Sequence, residues 1–230
     1  MPRLSKSHFT AQDSLIDLIN ADFNIIPILS RFDIPLGFGN KTIEEICQEN
    51  SISIEVFLTI INFTLSGIIT PGKADMDIAV GIVDFLHNSH DYFINYKFPH
   101  IRNNLISALD SEHSDINPAI IKFFDDYVTQ VKTHFDYEET HVWPYIRSMN
   151  VSTPTSYNID IFKKHHEETG EKLSDLKNII MRYYTTSIPY RMFDVLVDIF
   201  NCEEDLNKHR DIENHIMVPI IEQLEANVRR

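Results

Sequence analysis

Cysteine is nearly missing from this chain. Its 230 residues include two, Cys47 and Cys202, and no CxxC. That excludes a disulfide framework and a thiolate cluster, and it fits a reducing compartment. Glycine is scarce too, at 6. A many-turned β fold needs more turn residues, so the scarcity argues for helices. Basic charge is in deficit, with 20 Lys and Arg against 34 Asp and Glu, a net charge of −14. Nothing basic is massed to neutralise phosphates, which argues against nucleic acid or an anionic membrane as partner. No run approaches the ~20 apolar residues of a membrane span. The opening "MPRLSKSHFTAQDSL" has no apolar signal core. A cytoplasmic protein is therefore expected. A glycine-rich phosphate loop and a Ser-His-Asp or Cys-His arrangement are also missing.

What is present is apolar periodicity. The apolar fraction is 43% and aromatics reach 11%, enough for one sizeable domain and a small one. Residues 1–70 read as short helices. "TAQDSLIDLINAD" has a cap-like Thr10 and sets Leu15, Leu18 and Ile19 on one face. Pro27 starts or kinks a second helix, and "PLGFGNK" is a turn. "TIEEICQENS" carries a capping box, Thr42 with Glu45. A further helix ends at Gly67, and "ITPGKADMD" is the linker. Four long helical stretches follow in 76–230, near 76–110, 118–149, 156–185 and 189–227. Pro-containing polar breaks separate them. The expected fold is all-α, an up-down four-helix bundle after a small helical domain.

Two of those stretches share a word. "HFDYEETHVWPYI" (134–146) and "HRDIENHIMVPII" (209–221) agree in the frame HxDxExxxxxPxI. Residues i and i+4 face the same way on a helix. His134 with Glu138, and His209 with Glu213, are thus imidazole–carboxylate pairs that can reach one metal or two adjacent ones. A lone HxxxE is usually a surface pair. Two copies in one frame point to internal duplication around a two-metal site. The prolines stand at matching places and should shape the two helices alike.

A duplicated helix pair should supply ligands from its other helices as well. His90 in "FLHNSHDYF" is one, and either His165 or His166 in "FKKHHEETGEKL" is its counterpart. Spacing does not choose between those two. His87 reads as flanking. A set of imidazoles and carboxylates without thiolates suits first-row metals, iron or manganese most readily. His141 stands about 10.5 Å along the axis from His134, too far for the same metal, so packing or support is expected of it. Asp136 and Asp211 rotate off the ligand face. Tyr92, Tyr137, Tyr145 and Trp143 are expected to pack the core. His8, His100 and His113 read as surface residues.

The segments "NSHDYF", "HFDYEETHVWPYI", "HHEETGEKL" and "HRDIENHIMVPII" resemble the hemerythrin-type HHE cation-binding segments of the repair-of-iron-centres (RIC) family. The resemblance implies a hemerythrin-like bundle holding two oxo-bridged iron ions. It implies His166 as the ligand, because Gly170 then takes the family's place four residues on, with His165 beside it. The implied metal set is His90, His134, Glu138, His166, His209 and Glu213. "ILSRFDIPLGFGNKTIEEICQENSISIEVF" resembles the small helical domain that precedes the bundle in that family. There the family carries a Cys-Cys pair followed by Gly-Gly; here the places read Gly37-Phe38-Gly39-Asn40, and Cys47 stands alone.

The resemblance implies restoration of iron–sulfur clusters damaged by nitric oxide or oxidants. Damaged iron–sulfur proteins would be the partners, and any step needing the thiol pair is not carried over. A second expectation is a hemerythrin-like module that binds or senses O2 or NO without repair. A third is a purely structural bundle, which the repeated frame disfavours. A homodimer through the small domain is a further expectation.

Overall fold

The computed structural model describes residues 8–68, 74–110, 115–149, 157–166 and 172–228, with residues 165, 166, 172 and 228 described by backbone alone. Among the described residues the fold is all-α, as expected. The one extended pairing is an isolated bridge between Ser14 and Thr42.

Four short helices come first: α1 (Leu15–Ala21), α2 (Ile26–Arg31), α3 (Ile43–Glu49) and α4 (Ile54–Ser66). The capping box forms. Thr42 Oγ1 accepts from the Glu45 N–H, and the Glu45 carboxylate accepts from the Thr42 N–H. Pro27 sits in the first turn of α2, so it starts that helix. The cap of α1 differs from expectation. Thr10 donates its N–H and hydroxyl to the Asp13 carboxylate, and the Asp13 N–H returns to the Thr10 carbonyl. That closes a turn before the helix, and Ser14 becomes the cap, accepting from the Ile16 N–H. Gly67 ends α4 at φ 64°, a left-handed conformation in which a Cβ would be strained.

The long stretches follow. α5 (Met76–Asp91) runs through a wide π-helical segment, Tyr92–Lys97, into α6 (Phe98–Ala108). α7 (Asn117–Tyr137) runs through Glu138–Val142, also π-helical, into α8 (Trp143–Ser148). α9 (Ile159–His166) and α10 (Lys172–Tyr183) make the third stretch. α11 (Pro189–Ile212) passes through a third π segment, Glu213–Met217, into α12 (Val218–Val228). These bounds lie within a few residues of the expected ones. The expected linker falls largely on residues 69–73, outside the described residues.

Contacts group the chain into two compact units. The first takes in described residues of Met1–Ser89, Ile146–Thr153 and Arg210–Arg230. Its core is aliphatic and aromatic, with Leu15, Leu18, Ile43 and Ile60 fully buried. The Phe32 ring stacks obliquely on Phe57 at 5.1 Å and Phe85 at 4.7 Å. Truncating a core aromatic such as Phe57 costs ~3–5 kcal/mol. The buried Asn62 amide accepts from the Phe9 N–H at 2.7 Å and donates to the Phe9 carbonyl at 2.9 Å. One side chain thereby pins the N-terminal segment to α4. Gly81 lets α5 approach α4, because a Cβ there would lie 2.8 Å from Val56 Cγ2.

The second unit takes in described residues of His90–Tyr145 and Pro154–His209. Phe93, Ile101, Leu105, Leu176 and Ile199 are fully buried in it. Lys177 is buried, paired with the Glu203 carboxylate, and its ammonium lies 4.1 Å over the Phe200 ring. A buried charge is tolerable when paired in this way.

Candidate metal centre

The repeated frame has a backbone explanation. Proline has no N–H, and its ring clashes with the carbonyl four residues back in a regular helix. A wider turn relieves both. At the second stretch the Trp143 N–H, just before Pro144, reaches back to the carbonyl of Glu138. At the fourth the Val218 N–H, just before Pro219, reaches back to the carbonyl of Glu213. The bond spans five residues in each case, so each glutamate opens a π turn. The two prolines do act alike. The first stretch has the same device: the Phe98 N–H, before Pro99, reaches Phe93, downstream of His90. π turns recur at functional sites.

The side chains converge where these turns begin. One ligand atom from each of His90, Glu138, His209 and Glu213 lies within 4.8 Å of all the others. Glu138 and Glu213 are fully buried, and both imidazoles are 3% exposed. The Glu138 carboxylate is split between two rings. Its Oε2 is 3.1 Å from His90 Nε2, and its Oε1 is 3.0 Å from His134 Nε2. His134 therefore joins through Glu138, one turn back on α7, with its side chain 11% exposed. Aromatic rings wall the His90 and His209 imidazoles. Phe135 stacks on His90 at 3.8 Å, and Phe93 lies edge-on to His209 at 6.1 Å.

The donor set fits a metal. His90 Nδ1 is 2.7 Å from Glu139 Oε1. A carboxylate can only accept, so Nδ1 donates to Glu139, and in the neutral ring Nε2 then presents a lone pair. That nitrogen faces a Glu138 oxygen at 3.1 Å. With the ring neutral, two buried acceptors held this close are well placed to share a cation. Imidazole and carboxylate without thiolate are ligands for first-row metals.

The comparison with known families agrees. Residues 81–221 match the hemerythrin HHE cation-binding domain, more than half of the chain. The chain belongs to that family. No curated protein matches it, and no solved structure does. The HHE match covers His90, His134, Glu138, His209 and Glu213 and leaves α1–α4 outside. The all-α fold is thereby a hemerythrin-like bundle, and its cluster is compatible with metal ions such as iron.

The other expected residues of the HHE domain divide. The His166 and His165 side chains lie outside the described residues, as does His113. His87 is exposed, in keeping with a flanking place. His141 packs on Tyr137 and is not part of the cluster. It is exposed, stacked on Tyr137 at 4.9 Å and 2.7 Å from Thr140 Oγ1. The π turn that begins at Glu138 separates it from the ligand face. Asp136 is exposed and Asp211 half-buried. His8 and His100 are on the surface, His100 beside Asp198 at 3.4 Å. Trp143 packs the core as expected, and its Nε1–H also donates to Glu139 Oε1 at 3.1 Å. Tyr137 and Tyr157 share a hydrogen bond of 3.0 Å, and burial pushes the Tyr157 hydroxyl's pKa up.

Glu139 escaped the sequence reading. It adjoins Glu138, but the shared frame has Asn214 at its place in the second copy, so aligning the words discards it. The only signal is the doubled glutamate in "YEET", and that is a common surface pattern on helices.

Proposed function

We propose that this HHE domain is a non-haem di-iron centre of the RIC type, acting in iron–sulfur cluster repair under nitrosative or oxidative stress. The observation that carries it is Glu138, fully buried, with one oxygen near each of two imidazoles. In this reading Glu138 and Glu213 would supply the carboxylates, and His90, His134, His166 and His209 the imidazoles, that hold two irons. An oxo-bridged iron pair would supply redox chemistry and positions for O2 or NO. The buried residues around it exclude water from the cluster. The partners are damaged iron–sulfur proteins in the cytoplasm, met by a chain that pairs as a homodimer.

A second reading, reversible O2 or NO binding without repair, is favoured by the thiols. Where the RIC pattern has Cys-Cys, this chain has Gly37-Phe38. Cys47 is fully buried, and burial pushes its thiol up to about 11, so it stays protonated at neutral pH and is a poor iron acceptor.

Protein purified from iron-supplemented cells should carry two irons per chain, with near-ultraviolet oxo-to-iron bands. It should then restore activity to a dehydratase whose cluster nitric oxide has damaged. Iron without restoration, but with reversible spectral change on adding NO, would replace repair by sensing. No bound iron would overturn both.

A further inference from the structure

We propose that Glu139 is a positioning residue: its carboxylate fixes the His90 tautomer and ring plane, so that Nε2 is delivered to the metal. The inference deepens the di-iron reading and rests on it for the identity of the metal.

The geometry is confined to one stretch of helix and one facing histidine. Glu139 Oε1 is 2.7 Å from His90 Nδ1 and 3.1 Å from Trp143 Nε1. Both are N–H donors converging on a single oxygen. Trp143 is one turn beyond Glu139 and is 2% exposed. Its indole cannot swing away without leaving the core, so it holds the carboxylate, and the carboxylate holds the imidazole. His90 is clamped from its faces as well, by Phe135 at 3.8 Å and Trp143 at 5.8 Å. The Glu139 side chain is 30% exposed, so its carboxylate keeps contact with solvent while it holds His90.

The chemistry follows from the tautomer. In water a neutral imidazole favours its proton on Nε2, which would block the nitrogen nearest Glu138. A carboxylate on Nδ1 reverses that preference and leaves Nε2 turned toward the cluster. Carboxylate partners of this kind are worth ~10–100-fold in metal affinity. The fourth long stretch places Asn214 where Glu139 stands on the second long stretch, so the support is asymmetric between the two copies of the word.

The test is nitrogen-15 histidine NMR on the metal-free full chain, with iron affinity by chelator competition as a second arm. Wild type should show His90 protonated at Nδ1 and bare at Nε2. Glu139→Ala should return His90 to the Nε2–H form and weaken iron ~10–100-fold. Glu139→Gln keeps an acceptor oxygen and should largely restore the tautomer, which a loss of folding would not allow. A wild-type His90 already protonated on Nε2, or Glu139→Ala leaving the tautomer unchanged, would overturn the proposal. A wild type that binds no iron yet shows the Glu139-dependent tautomer would sink the di-iron reading while sustaining the positioning role.

Discussion

The second and fourth long stretches carry the same word and use it differently. In both, a histidine and a glutamate stand one turn apart, the glutamate is fully buried, and its carbonyl takes a five-residue hydrogen bond from the residue before proline. The flanks differ. After Glu138 comes Glu139, which reaches across to His90; after Glu213 comes Asn214. Before Pro144 stands a tryptophan with a side-chain N–H to give; before Pro219 stands Val218, whose side chain has none. His134 keeps an 11% exposed side chain, whereas His209 is 3% exposed. The shared residues are those that place a ligand and shape the backbone under it. The residues that differ support one histidine from behind. A duplicated helix can thus keep its ligand geometry while its surroundings specialise.

The comparison breaks first at the glutamates. Glu138→Ala and Glu213→Ala should each abolish stoichiometric metal loading, measured as metal per chain after gel filtration. Full loading in either variant would mean the two words are not equivalent halves of one centre. The prolines sharpen it next. Pro144→Ala and Pro219→Ala restore an N–H that can close a regular turn, so each should weaken iron by less than ligand removal does. Stability should change by only ~0.4–1 kcal/mol, mostly through the unfolded chain. Unaltered iron affinity and amide exchange in both would show that the π turns do not depend on proline. The smallest effect belongs to the shared aspartates. Asp136→Asn should leave metal loading intact and move stability by less than ~0.5 kcal/mol, read from a urea midpoint. A larger loss would give the repeated Asp a role that its exposed position does not suggest.

A further prediction concerns the small helices and follows from Cys47. Its pKa is raised from 9.0 to about 11 by burial. The unfolded chain loses that proton near pH 9 while the folded chain keeps it. Folding stability from this group is therefore complete below pH 9 and declines as pH rises from 9 to 11. Urea unfolding across that window should show the decline in wild type and a weaker one in Cys47→Ala.

Much of this was readable without coordinates. The helix bounds, the capping box at Thr42 and the Gly67 stop are local events, governed by neighbours within a turn. His134 with Glu138 and His209 with Glu213 were legible for the same reason, since i and i+4 must share a face. His90 was legible only through the duplication. Thr10 misled because a cap-like residue can also close a turn, and Asp13, three residues on, decided between the two.

The sequence by itself determined the all-α class, the spacing of the paired ligands and the prolines that widen the helices beneath them, because each depends on contacts within two turns of chain. Only the tertiary structure decided which nitrogen of His90 faces Glu138. That choice depends on Glu139, 49 positions away, and no local rule of helix geometry reaches so far.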